Sequence, residues 1–270
     1  MRVNAIIFTK DRAMQLNLLL ESIKANAPES MALNVIYKAS SEEYKAGYDK
    51  LATLHPDVNM IEENSFKEQL IELMSTPGFD YTCFFVDDDI IYKPFDINKC
   101  LSVLEEDDDV FCFSLRLGKN VKVCYTMQAE NVLRGESIED DIMKWNWSVH
   151  YLDFGYPLSV DGHIFRAKEI LKLAKKVHFN NPNTFEGGLQ VFDNYPREKM
   201  ASFVESVLVN SPSNIVNDTH PNRSGTEPVN SPKALNDAFL GGGVIDLSIM
   251  NFSNIVGCHQ ELDYPILNTK

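Results

Sequence analysis

The sequence predicts an α/β fold, a mostly parallel central sheet covered by helices on both faces. Three observations carry that expectation. Short apolar runs of strand length alternate with segments whose apolar residues recur at helical spacing. Capping and stop signals sit between them. The connections are short, which is the pattern of βαβ units. At 270 residues the chain is long enough to bury a sizeable core.

Val3 to Phe8 is a compact run of branched and apolar residues, read as a buried strand. The polar turn Thr9-Lys10-Asp11-Arg12 follows, then a helix with Leu16, Leu19, Leu20 and Ile23 on one face, ended by Pro28. Leu33 to Tyr37 is a second strand, and Ser40-x-x-Glu43 reads as a capping box opening the next helix. Val58 to Ile61 is a third strand. Ser65-x-x-Glu68 caps a helix carrying Phe66, Leu70, Leu73 and Met74, which Thr76-Pro77-Gly78 stops. Tyr81 to Val86 is the fourth strand, Ile97 to Leu104 a helix and Val110 to Leu115 a fifth strand.

Arg116 to His150 shows no usable periodicity and holds both tryptophans, Trp145 and Trp147. Leu158 to Val160 and His163 to Phe165 read as strands flanking a turn at Asp161-Gly162, followed by a helix from Ala167 to Lys176 and a strand from Phe203 to Val209. Asn210 to Pro232 is a loop dense in Asn, Ser and Pro. No linker divides the chain, so one continuous domain is expected.

A formal net charge of -14 excludes a nucleic-acid partner as the expectation, because phosphate backbones are bound by clustered Lys and Arg. Five cysteines without a CxxC pair indicate neither a disulfide framework nor a zinc ribbon, and reduced thiols fit a cytoplasmic setting. The apolar run at the start is too short for a signal peptide, and no run reaches the length of a membrane helix, so at most peripheral membrane contact is expected. Gly241-Gly242-Gly243 lacks the Lys and Ser/Thr of a phosphate-binding loop, which leaves kinase and GTPase chemistry without its motif.

Phe84-Phe85-Val86-Asp87-Asp88-Asp89-Ile90-Ile91 places three carboxylates where a buried strand emerges. Adjacent ionised carboxylates repel unless a cation neutralises them, and oxygen donors without His or Cys suit Mg²⁺ or Mn²⁺. Residues i and i+2 share one side of an extended chain, so Asp87 and Asp89 are expected to share the metal. Glu105-Glu106-Asp107-Asp108-Asp109 contains the same triplet but follows a helix and precedes a strand. That puts it at the amino end of a parallel strand, away from the ligand crevice, as a solvated connection.

A strand ending in Thr-Lys-Asp-Arg before a helix, with Val-Asp-Asp-Asp closing a fourth strand, resembles the nucleotide-sugar glycosyltransferases of the GT-A fold, family-2-like. The resemblance covers about the first 120 residues and implies a Rossmann-type sheet. It implies a DxD motif at Asp87, Asp88 and Asp89, with Mn²⁺ or Mg²⁺ on the donor diphosphate and Asp88 left for a sugar hydroxyl. It also implies nucleotide contacts at Thr9, Lys10 and Arg12, where a cationic turn at a helix N-terminus suits a diphosphate. Residues 1–118 would then bind the donor, a nucleoside-diphosphate sugar with UDP favoured. Residues 119–270 would bind a glycan or lipid-linked acceptor, as in polysaccharide biosynthesis, with a C-terminal lid loop.

Within that resemblance Glu186, in Asn183-Thr184-Phe185-Glu186-Gly187-Gly188, is the candidate base for an inverting transfer, its glycines allowing close approach. Asp161 is a candidate for donor-sugar hydroxyls, although a hairpin turn also explains it. Arg116, at a strand's carboxyl end, is placed to hold phosphate or an acidic acceptor. Arg223, in the loop Asn217 to Arg223, would offer a charge to phosphate from the lid. His220 and His259 are possible metal ligands outside the first set. Two other readings stay open: a Mg²⁺-dependent phosphohydrolase using an Asp nucleophile in Asp87-x-Asp89, and a non-catalytic carbohydrate-binding protein. Trp145 and Trp147 would offer either sugar-binding reading a stacking platform, although a place in the core explains them better.

Overall fold

Val3–Lys10 forms β1, buried along almost its whole length because both of its faces meet helices. The computed structural model describes residues 2–27, 31–192, 195, 197–216 and 223–268. After β1 come α1 (Ala13–Asn26), β2 (Met31–Lys38), α2 (Glu42–Leu54), β3 (Asn59–Glu62) and α3 (Phe66–Met74). Then follow β4 (Tyr81–Val86), β5 (Asp89–Ile91), α4 (Ile97–Glu106) and β6 (Val110–Ser114). Four short strands come next: β7 (Val123–Cys124), β8 (Ala129–Glu130), β9 (Ser137–Glu139) and β10 (Ile142–Asn146). The chain continues with β11 (His163–Arg166), α5 (Ala167–Ala174), α6 (Pro182–Leu189), β12 (Lys199–Phe203) and β13 (Leu208–Asn210). It closes with α7 (Pro232–Leu240), β14 (Gly243–Ile245) and β15 (Ile266–Asn268).

A nine-stranded sheet runs in the order β3-β2-β1-β4-β11-β6-β12-β10-β9. β1 is parallel to β2 and β4, β2 to β3, and β12 to β6, whereas β11 lies antiparallel between β4 and β6. β10 is antiparallel to β12 and to the edge strand β9. The sheet is therefore α/β and mostly parallel, as the alternating pattern implied. Insertion of β11 between β4 and β6 interleaves the two halves of the sequence in one sheet. Strand order reverses at β1: the chain steps outward to β2 and β3, then returns to the other side of β1 with β4. Such a reversal opens a crevice beyond the carboxyl ends of the two strands.

Strand alternation divides the core. Val3, Ala5 and Ile7 face the cluster that includes Leu16 of α1, Leu51 of α2, Leu101 of α4 and Phe239 of α7. Ile6 and Phe8 face Phe66 of α3, Ile170 of α5 and Phe185 of α6. Phe84 joins that second layer, its ring 5.8 Å from Phe8, 6.0 Å from Phe165 and 5.5 Å from Phe185. Among the described residues no helix is long and apolar enough to cross a membrane.

Several local expectations need correction. The N-cap of α2 is Ser41, whose hydroxyl accepts from Tyr44 N, while the Ser40 N–H donates to Asp11 Oδ1 at 2.7 Å. Phe203 to Val209 is not one strand: the chain turns at Glu205-Ser206, where Asn120 accepts from Ser206 N at 2.9 Å and donates to its hydroxyl at 2.8 Å. Leu158 to Val160 is a buried loop, and β11 pairs with β4 and β6 instead of forming a hairpin with it. Trp145 and Trp147 are buried, each indole N–H bonded to a carbonyl, of Phe154 at 2.8 Å and Arg197 at 2.9 Å. They are core residues and no stacking platform. The second acidic run lies on the surface, where Asp107, Asp108 and Asp109 meet Lys144, Arg197 and Lys199.

Phe84→Ala is expected to cost about 3–5 kcal/mol, since a fully buried ring bridging β1, β11 and α6 would be replaced by a cavity. Urea unfolding should show a lower midpoint with an unchanged slope.

Candidate functional site

β1 and β4 end side by side, Phe8 opposite Val86, and the Asp87 N–H donates to Phe8 O at 3.1 Å. Beyond Val86 the chain turns through Asp87 and Asp88 before Asp89 enters β5. Asp89 closes this turn by accepting the Val86 N–H at 3.1 Å. β5 pairs with β13 so that Asn210 stands opposite Asp89, and Asn210 Nδ2 donates to Asp88 Oδ1 at 2.7 Å and Asp89 Oδ1 at 3.1 Å. Asp87 and Asp88 line a cavity of about 1250 Å³, whereas Asp89 is fully buried and stands outside its lining. The expected sharing of an ion by Asp87 and Asp89 assumed an extended chain. The turn removes that alternation and presents Asp87 and Asp88 instead.

Arg12, the N-cap residue of α1, supplies the countercharge. Its Nη1 lies 2.9 Å from Asp87 Oδ1 and 3.1 Å from Asp88 Oδ2, with all three side chains nearly buried. Nε donates to Asn214 Oδ1 at 2.7 Å, and Nη2 donates to the Asn214 carbonyl. The turn leading to Arg12 needs Asp11 in the left-handed region, at φ 56°, which Asp tolerates better than most residues. Thr9 and Lys10 belong to the end of β1, not to the turn itself. Both line the cavity, and the Thr9 hydroxyl is engaged by Tyr48 at 2.8 Å. The Lys10 N–H donates to Asp87 Oδ2 at 3.3 Å.

One guanidinium does not neutralise this cluster. Burial pushes the Asp87 carboxyl up to about 6 against the pull of Arg12, and burial with the nearby Asp161 charge pushes Asp89 well above the carboxylate range. Oxygen-only donors that remain short of positive charge fit Mg²⁺ or Mn²⁺.

A second charged group lines the same cavity. Arg116, buried at the end of the β6 segment, donates Nη1 to Asp161 Oδ2 at 3.2 Å, and His259 Nε2 lies 3.1 Å from the same oxygen. Burial would raise the Asp161 carboxyl, but the His259 hydrogen bond and the Arg116 charge outweigh it and hold it low. Burial likewise opposes protonation of His259, yet Cys258 and Asp161 lift it well above its ordinary value. Asp161 precedes Gly162, whose φ of +63° and N–H bond to Phe84 O at 2.8 Å bring this loop against β4.

Glu186 lies inside α6, so its Glu-Gly-Gly sequence is helical and not a turn. Its Oε1 accepts the Val160 N–H at 3.1 Å. Burial first, then the Asp161 charge, pushes its carboxyl up to about 7, with Arg116 pulling the other way. Arg223 borders the cavity with its guanidinium 5.9 Å from the centre of the Tyr125 ring. His220 and the rest of the 217–222 segment lie outside the described residues.

Thus the structure brings Thr9, Lys10, Arg12, Asp87, Asp88, Arg116, Asp161, Glu186 and Arg223 to one cavity, with His259 among them. Sequence reasoning missed Asn210 and Asn214. Asn210 opens the Asn/Ser/Pro-rich loop, but only its ladder position opposite Asp89 shows its role.

Fold and site define an α/β protein with a charged crevice at the switch point of its sheet. No family model matches the chain. Over 211 residues it is 28% identical to the bifunctional glycosyltransferase pgtA of Dictyostelium discoideum, an alignment covering 68% of this chain and 27% of that protein. The chain thus spans about a quarter of the length of this curated relative. Among solved structures it is similar to TarS of S. aureus in complex with UDP, at 12% identity and a TM-score of 0.49 over 79% of this chain and 61% of that one. A mannosyltransferase from Pyrobaculum calidifontis in complex with GDP-Man and Mn²⁺ gives 13% identity and a TM-score of 0.46 over 89% and 70%.

Arg12→Met should cost about 3–5 kcal/mol at neutral pH, because it leaves two buried carboxylates without their partner. Asp87 titrates near 6 even beside Arg12, so its proton is gained in acid and the charge penalty appears as pH rises. Denaturation at pH 5 and pH 8 should therefore show a larger deficit at pH 8. A deficit equal at both would assign Arg12 a packing role only.

Proposed function

We propose that this chain is a glycosyltransferase that moves a sugar from a nucleoside-diphosphate sugar, with UDP favoured, to a hydroxyl on a glycan or lipid-linked acceptor. One observation carries the reading: Arg12, Asp87 and Asp88 converge at the β1/β4 switch point on the wall of a cavity that also contains Glu186. The 28% identity to a bifunctional glycosyltransferase over 211 residues supports it.

In this reading Asp87 and Asp88 hold Mn²⁺ or Mg²⁺, with Asp89 behind them fixing the turn. The ion supplies Lewis-acid neutralisation of the leaving diphosphate. Arg12, Lys10 and Arg223 add positive charge around the phosphates, and Thr9 holds the β1 end in place through Tyr48. Charge rises on the diphosphate as the glycosidic bond breaks, so preorganised cations there lower the barrier most. Asp161 accepts from donor-sugar hydroxyls, and Arg116 sets its orientation. Glu186 takes the proton from the attacking acceptor hydroxyl, a role for which a carboxyl titrating near 7 is suited. Residues 1–118 form the donor half and 119–270 the acceptor half of one domain. Free cysteines throughout accord with a cytoplasmic site.

A phosphohydrolase would use Asp87 as the nucleophile on phosphorus. Calorimetric titration of UDP and GDP, each with and without Mn²⁺, discriminates the readings. One nucleotide should bind in a metal-dependent way to the wild type and at least tenfold more weakly to Asp88→Asn. Binding of neither, with Mg²⁺-supported hydrolysis of a generic phosphate ester, would give the site to the phosphohydrolase.

Glu186→Gln should lower kcat by about 10²–10⁴-fold while leaving nucleotide affinity unchanged. In the wild type kcat/KM should rise with pH through about 7, as the Glu186 carboxyl loses its proton, and the residual rate of the variant should lack that limb. Because its folded value exceeds that of a free glutamate, Glu186 costs stability above pH 7, on the order of 1–3 kcal/mol. The same variant should therefore melt higher than the wild type at pH 8 and alike at pH 4.

A further inference from the structure

Three donor atoms of different kinds meet between the C-terminal segment and the helical turn Leu152–Gly155. Asp153, Cys258 and His259 each place one ligand atom within 4.8 Å of the others. None of them belongs to the Asp87–Asp89 turn. Cys258 is a free, fully buried thiol, and Asp153 is buried as well. His259 Nδ1 stands 3.4 Å from Cys258 Sγ. Zinc bonds of about 2.3 Å to sulfur and 2.0–2.1 Å to nitrogen, set at a tetrahedral angle, put the two donors about 3.5 Å apart.

The outer bonds match this arrangement. His259 Nε2 faces Asp161 Oδ2 at 3.1 Å, so that nitrogen is held by the carboxylate and Nδ1 is the ring atom turned toward Cys258. Asp153 Oδ2 is fixed by Asn131 Nδ2 at 3.0 Å. A carboxylate behind the ligating histidine and an amide behind the ligating carboxylate are the supports that orient ligands around a metal. Sulfur, nitrogen and oxygen together select zinc over Mg²⁺ or Mn²⁺. The buried thiol of Cys124 lies against Asp153.

We propose that Asp153, Cys258 and His259 form a zinc-binding site that clamps the C-terminal segment to the middle of the chain and fixes the His259–Asp161 pair in the cavity wall. Binding replaces the Cys258 thiol proton and any proton on His259 Nδ1, both released to solvent. The clamp has local reach: Lys122 N and Val123 N donate to Val256 O at 2.7 and 3.0 Å, and Asn210 N donates to Cys258 O at 2.9 Å. Loss of the ion would therefore loosen Asn210 and with it the support of Asp88 and Asp89. This inference stands independently of the transferase reading.

The test is the metal content of the full chain after dialysis against micromolar zinc and then buffer, with far-UV circular dichroism as the check on folding. The wild type and Asp88→Asn should each retain one zinc per chain, and Cys258→Ser and Asp153→Asn should lose it. Cobalt added to the metal-free protein should give a sulfur-to-cobalt charge-transfer band that Cys258→Ser lacks. Should Cys258→Ser fail to fold, the cobalt band in the wild type and zinc loss in Asp153→Asn carry the decision. A wild type that retains no zinc and shows no band, or a folded Cys258→Ser that keeps its zinc, overturns the assignment.

Discussion

The Arg12 guanidinium wedged between Asp87 and Asp88 is the contact on which the rest of the crevice depends. Three consecutive aspartates at the end of a buried strand would drive the β1 and β4 ends apart, or take up protons, without a positive charge among them. Arg12 reaches them because α1 starts immediately after β1 and β1 lies beside β4. Its other nitrogens hold Asn214, so the same side chain ties the first turn of the protein to a loop some two hundred residues later. An ion pair this buried gains little net stability over apolar packing, but it is costly to break on one side. Its value lies in position: it holds Asp87 and Asp88 together on the cavity wall.

A second group in the same cavity lining repeats the device with a different chemistry. Arg116, Asp161 and His259 form a chain of opposite charges in which Asp161 is kept ionised by two partners. Glu186, close enough to feel that charge yet without a cation of its own, is pushed the other way. Two carboxyls in one cavity are thus driven apart in proton affinity, which is how an environment separates a charge-holding group from a proton-accepting one. Gly162 permits this, since a side chain at its φ of +63° would also press into Leu208.

Much of the molecule was legible in the residues. The alternation from Val3 to Leu115 revealed the strands and helices of the first half, and the contrast between Asp87–Asp89 and Asp107–Asp109 separated a crevice cluster from a surface one. Context made the difference: one triplet follows a buried strand and the other a helix. Errors arose where a local rule met a non-local partner. The i, i+2 rule failed at Asp87–Asp89 because Asp89 turns inward to Val86 N and Asn210. The tryptophans read chiefly as core aromatics, and both are buried, but the 116–150 segment, with its two- to five-residue strands, gives no periodicity that would show what encloses them.

By itself the sequence determined the fold class, the strand that carries the acidic turn and the presence of cations beside it, because these follow from side-chain periodicity and from the order of elements along the chain. Tertiary structure alone decided which carboxylates face the cavity, that Arg12 is their partner, and that Asn210, Asn214, Asp153 and Cys258 belong to the region at all. Those residues are brought together across a hundred or more positions by sheet order and by the β5–β13 pairing. Burial and the nearest charge then set the protonation of Asp87, Asp161, Glu186 and His259. Both are properties of the packed neighbourhood, and no spacing in the chain encodes them.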